Sequence, residues 1–165
     1  MKLRIPILIS ILFFFVISSS AGAAQKRSGL AAEVQSAAKL LLSGSPKTED
    51  VHQSLSALID AVCMIADQDT KLPAGFRGKM QEASRTFAGN RIGPESESAL
   101  KAAYRTLHGG KEFAFPEGVR EIEEITRIAR EHIDRSVREI EAGQSGQAAD
   151  EILSFVLLVV TPVIR

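Results

Sequence analysis

Near the end of the chain the run Ile152 to Val160 reads ILSFVLLVV, with Ser154 its one polar member. Nine residues fall well short of the roughly 20 apolar residues that a helix needs to span a bilayer. A helix that is apolar on every side must instead be surrounded by protein. Ala61–Ala66, AVCMIA, has the same character. The expectation is that a last helix, Ala148–Ile164, packs inside a bundle against Val51–Ala66. If that packing covers only one side, Phe155, Leu158 and Val159 are the residues left to bind a partner protein or a second copy of the chain.

The remaining segments show apolar residues at spacings of three and four, the signature of amphipathic helices. Leu30, Val34, Ala37 and Leu41 mark a first stripe, stopped by Gly44, Ser45 and Pro46. Thr48 is a suitable N-cap for a second helix that ends near Asp67–Thr70. Phe76, Met80, Ala83 and Phe87 mark a third, closed by Gly89-Asn90. Pro94 with Glu95 and Glu97 reads as the first turn of a fourth, because proline at N1 loses no hydrogen bond and acids there meet the positive helix end. Gly109-Gly110 stops it. Lys111–Phe115 alternates like a strand but has no partner strand, so it reads as an extended loop with Phe113 and Phe115 plugged into the core. Pro116-Glu117 opens a long helix with the stripe Val119, Ile122, Ile125, Ala129, Ile133, Val137 and Ile140. Ile125 sits mid-stripe, so burial is expected there. Glu123–Arg127, Glu131–Arg135 and Asp134–Arg138 are spaced for ion pairs within that helix. Ser145 would cap the last one. The expected fold is all-α, a single domain over residues 24–165, bundle-like, with about six helices and short connections.

Residues 1–23 read as an address. Lys2 and Arg4 precede the apolar run Ile5–Ile17, and small residues end in Ala21-Gly22-Ala23. This order matches a secretory signal peptide cleaved after Ala23, and export to a periplasmic or extracellular location is expected. The alternative is a retained membrane anchor through residues 5–23. Removal of 1–23 takes Lys2 and Arg4 and leaves 18 basic against 20 acidic residues. So balanced a chain offers no footprint for nucleic acid, which requires clustered Lys and Arg. The absence of Trp, with one Tyr, also removes most stacking platforms for single strands. One Cys excludes an intramolecular disulfide and any multi-cysteine metal cage.

Sequence motifs for catalysis are missing: there is no GxxxxGK[ST], GxGxxG, HExxH, GxSxG, CxxCH or EF-hand loop. Neither a catalytic residue nor a cofactor is assigned on this reading. Weak metal-ligand candidates are Glu49 and His52, which fit Glu-x-x-His once, and His132 at the edge of the long stripe. The residue three before His132 is Ala129, so the second copy of that motif is lacking. Cys63 and Met64 diverge by about 100° on a helix and do not face one metal. No segment carries a family pattern that transfers residue by residue. The expectation is therefore a non-enzymatic exported domain that binds a protein or itself. Its alternatives are a bundle holding a metal, haem or apolar small molecule, and a hydrolase using His132 with a nearby carboxylate.

Overall fold

A computed structural model describes residues 6–43, 47–88, 92–117 and 122–164, with side chains described for all of these except 6–20, 48, 122 and 162–164. Six helices carry the chain: α1 (Pro6–Leu41), α2 (Thr48–Gln68), α3 (Phe76–Phe87), α4 (Pro94–Leu107), α5 (Ile122–Ala142) and α6 (Ser145–Ile164). There is no strand among the described residues, and 111–116 has no regular secondary structure. The architecture is an all-α bundle.

Helix neighbours follow from the apolar stripes. α1, α2, α6 and α5 close one ring of four, and α2, α3, α4 and α6 close a second. α2 and α6 form the wall that the two rings share. Leaving aside the N-terminal apolar run of α1, these are the helices whose apolar character goes furthest round, so each can meet neighbours on several sides. Leu55, Leu58, Ile59, Val62 and Ile65 of α2 and Ile152 to Leu158 of α6 are buried. The packing of α6 inside the bundle and against α2 is as expected.

Chain direction alternates from α1 to α4, α5 runs the same way as α4, and α6 reverses again. The Arg27 guanidinium of α1 lies 3.0 Å from where a Cβ on Gly143 would fall, and Leu72 lies beside Gly146. One end of the bundle therefore holds the start of α6, the ends of α2 and α5, and α1 at Arg27. N-terminal to that level α1 continues for 21 residues, about 30 Å of helix. Residues 21–29 are exposed throughout, and among the described side chains of α1 the first buried one is Ala31.

Several local expectations are corrected. α1 is continuous from Pro6, rather than beginning near residue 29. Lys47, not Thr48, holds the N-cap position of α2; its backbone is extended and makes no side-chain cap, while the Val51 amide donates to its carbonyl. Ser145 is already helical. Gly143 turns the chain at φ 75°, the Gln144 amide reaches back to the Glu139 carbonyl, and Ala148 donates to Gln144, which leaves Gln144 in the capping place. The α4–α5 connection, 108–121, is long because it must return across the height of the bundle, so not every connection is short. Phe113 packs on the core and meets Tyr104 edge-on at 5.3 Å, whereas Phe115 is only half-buried. Ile125 is half-buried too; the deep part of the α5 stripe is Ala129, Ile133, Ser136 and Ile140. The N-terminal start of the long helix at 118–121 lies outside the described residues.

Candidate functional site

α6 carries two ionisable residues, Asp150 and Glu151, in its described side chains. Neighbours in sequence project about 100° apart round a helix. One carboxylate can therefore serve α4 while the next serves α5.

On the α4 side, His108 caps the helix end, and its Nε2 lies 2.8 Å from Asp150 Oδ1. The Tyr104 ring lies 4.2 Å from that imidazole, centroid to centroid. Ser154, one turn along α6, donates to the same Asp150 oxygen at 3.4 Å. Burial, followed by the Asp150 charge, raises the Tyr104 phenol above its ordinary value.

The α5 side is denser. Glu151 Oε2 is hydrogen-bonded to His132 Nδ1, and Arg135 Nε donates to Glu151 Oε1 at 3.0 Å. Arg135 Nη2 also lies 3.1 Å from His132 Nδ1. One ring nitrogen cannot both donate to Glu151 and accept from Arg135. We assign the proton to Nδ1, because the carboxylate is the stronger acceptor, so the guanidinium lies beside the ring without a bond to it. His132 Nε2 is then the ring position available to take a proton or a ligand. Glu139, one turn beyond Arg135, completes the cluster. Burial first, then the charges of Glu151 and Asp150, hold its carboxyl above the usual carboxylate range against the opposing pull of Arg135 and Arg138. Its Oε2 is buried and lacks a hydrogen-bond partner.

Arg135 thus reaches across to α6 instead of pairing with Glu131, which takes Arg127 at 2.6 Å. A carboxylate on a packed neighbouring helix is partly desolvated and binds a guanidinium more strongly than an exposed one does.

The other sequence candidates are scattered. Glu49 is exposed and His52 half-buried on α2, with His52 Nδ1 buried and unbonded. His132 is on α5, which does not pack against α2. Among the described residues no three His, Cys, Asp or Glu side chains come together to hold a metal ion. Phe155 and Leu158 are 0% and 1% exposed, and Val159 packs on the core from a half-buried position. Their neighbours are therefore helices of the same chain. Burial, then Asp60 and Asp67, push the half-buried Cys63 thiol up to about 11, which keeps it protonated and a poor nucleophile at neutral pH.

An open depression of about 320 Å³ lies over Pro94, Glu97, Ser98, Lys101, Arg105 and Glu112. Its charges satisfy one another, Lys101 with Glu97 at 2.7 Å and Arg105 with Glu112 at 3.1 Å.

Sequence reasoning reached His132 but not its partner Glu151, nor the His108–Asp150 pair. A signal was there: two acids in succession near the start of an otherwise apolar helix demand partners. Those partners lie 19 and 42 residues away, beyond any local spacing rule. No family model, curated protein or solved structure matches the chain.

Proposed function

We propose that residues 24–165 form an exported helical domain that acts by binding another protein or a second copy of itself, without a catalytic step of its own. The observation that carries the export half of this reading is the placement of burial along α1. Residues 21–29 are exposed, and among the described side chains core contacts begin at Leu30 and Ala31. Among the described side chains, cleavage after Ala23 would therefore remove none from the core, and the small residues Ala21–Ala23 would be open to a peptidase. Among the residues with described side chains, no helix is long and apolar enough to cross a membrane. The binding half is supported by how the ionisable groups are used: Asp150 and Glu151 tie helices together, and the pairs over the open depression are closed on themselves.

The test is direct. The full chain is expressed in a secreting host, and the released product is sequenced from its N-terminus and weighed by light scattering. A start at Ala24 and a defined dimer, or a stable complex with a co-secreted protein, support the reading. Intact Met1 in washed membranes supports the anchor through residues 5–23 instead. An absorbance band or stoichiometric metal in the released product supports the ligand-holding bundle.

A second reading has one observation in its favour. An imidazole whose Nδ1 is held by a carboxylate is the base half of a hydrolytic site. Ester hydrolysis by the wild-type chain that disappears in His132→Gln would support the hydrolase.

A further inference from the structure

Lys26-Arg27 is the only pair of adjacent basic residues in the chain. It falls within residues 21–29, nine successive exposed side chains of α1. A helix lying on a core buries a residue every three or four, so nine exposed in a row mark a stretch with no helix packed along it among the described residues. No other helix carries such a run among the described side chains. We propose that Lys26-Arg27 is a processing site: an endoprotease that reads paired basic residues hydrolyses the Arg27–Ser28 bond and leaves the bundle with Ser28 as its first residue. This cut is separate from the one behind Ala23 and does not require it.

A protease takes its substrate in extended form, so the residues around the bond must leave the helix. Little holds them in it. Among the described side chains, the core contacts of α1 begin at Leu30 and Ala31. The Arg27 guanidinium lies 3.0 Å from the place of a Cβ on Gly143, but this is the far end of a flexible, exposed side chain and can lift away. Gly22 and Gly29 bracket the pair, and glycine disfavours the helix. Once residues 1–23 are removed, Lys26 and Arg27 stand in the first turn, where positive charge meets the positive end of the helix dipole. A helix end this short and without packing is marginal in water.

The pair also has the chemistry such an enzyme recognises. The Arg27 guanidinium can dock in bidentate fashion on a carboxylate of the enzyme, and the Lys26 ammonium can take a second acidic subsite. Ser28-Gly29 places no bulk beyond the bond. Water adds to the Arg27 carbonyl carbon and the C–N bond breaks; Arg27 leaves as a carboxylate, and Ser28 keeps the nitrogen as an ammonium. Every core residue described for α1 lies at or beyond Leu30, so the bundle loses none of them. The Leu30 and Ala31 amides lose the carbonyls one turn before them. Serine is a favoured N-cap, and the Ser28 hydroxyl is placed to accept from those amides. One cut thus severs the bundle from all that precedes it, whether that is Ala24–Arg27 or an anchor through residues 5–23.

The full chain is expressed in a secreting host without paired-basic endoproteases. Its product is sequenced from the N-terminus, incubated with a subtilisin-type endoprotease specific for Lys-Arg, and sequenced again. The first sequencing reports on the cut behind Ala23, and only the second reports on this site. A single new N-terminus at Ser28 is expected. Its kcat/KM should lie within about a hundredfold of that for a free peptide of residues 21–31, because a helix end without packing opens readily. The cut product should keep its helical spectrum and melt within about 3 °C of the uncut chain. If the first sequencing finds Met1 in membranes, the same treatment should release the bundle into solution. Lys26→Gln/Arg27→Gln should fold alike and stay uncut. An uncut wild-type chain, a slower cut than that, a first cut at another position, or a product without a cooperative thermal transition overturns the proposal.

Discussion

The two halves of α6 solve opposite problems on one helix. Its tail, Ile152 to Val160, is held by shape alone: seven of its side chains besides Ser154 are buried, and the apolar contacts run to α2, α4 and α5. Its head, Ser145 to Glu151, is held by directed bonds to His108, His132 and Arg135. Apolar contact supplies most of the stabilisation but fixes register poorly, since one methyl group packs much like another. Ion pairs and hydrogen bonds add less net energy yet tolerate little displacement. The tail makes the bundle stable, and the head decides how α4 and α5 are aligned on it.

That contrast is broken most forcefully in the tail. Leu157→Asp places an unpaired carboxylate at a fully buried position, at a cost of several kcal/mol against a total stability of roughly 5–15. Loss of the cooperative thermal transition is the expected outcome. A variant that melts as the wild type does would mean that the tail is not enclosed.

The next test lies along α5 and separates depth from mere membership of a stripe. Ile133 is 3% exposed, whereas Ile125 is half-buried. Ile133→Asp should destabilise by several kcal/mol, and Ile125→Asp by roughly 1–2 kcal/mol, because its carboxylate can turn toward water. Denaturant midpoints of the two variants check the order. Equal effects would show that burial grades nothing along this helix.

Glu151→Ala probes the head. It strands the His132 imidazole and the Arg135 guanidinium together, but both retain access to solvent, so the expected cost is about 1–2 kcal/mol, not the cost of orphaning a buried charge. A double-mutant cycle with His132→Ala should recover a coupling energy of about 1 kcal/mol. Coupling near zero would reduce the head to a surface ornament and leave alignment to the tail.

Much of this was legible before any coordinates. Periodicity located α2, α3, α4 and the body of α5, since their apolar spacing is a local property. The all-round apolar runs led to the pairing of α2 with α6. Less legible was anything resting on contacts between distant segments. Ile125 and Ile133 occupy equivalent stripe positions, and only the placement of neighbouring helices makes one deep and the other shallow. Glu131 and Arg135 have good spacing for a pair, yet a better acceptor on α6 takes the arginine. Glu151 could not be named as the partner of His132, because no spacing rule spans a turn and two helices. Caps failed for a different reason: Thr48 and Ser145 have capping chemistry, but the preceding turns set which residue occupies the cap.

The smallest effect concerns the turn that brings the head into register. Gly143, at φ 75°, reverses the chain between α5 and α6 in two residues, and this short turn sets which face of α6 meets His132 and Arg135. A side chain resists that backbone conformation at a cost of about 1–2 kcal/mol. Gly143→Ala would also bring a Cβ to 3.0 Å from the Arg27 guanidinium, but this is the mobile end of an exposed side chain and can swing aside at little further cost. Gly75, at φ 86° with nothing within 4 Å of an added Cβ, provides the backbone-only reference. Gly143→Ala should therefore lower stability by about 1–2 kcal/mol, close to Gly75→Ala, with any excess measuring the Arg27 contact. Adding Arg27→Ala to both variants isolates that excess: it should close the gap between them. A gap that persists without Arg27 would locate the additional cost in a shifted α5–α6 register, and Glu151→Ala should then cost less in the Gly143→Ala background than in the wild type.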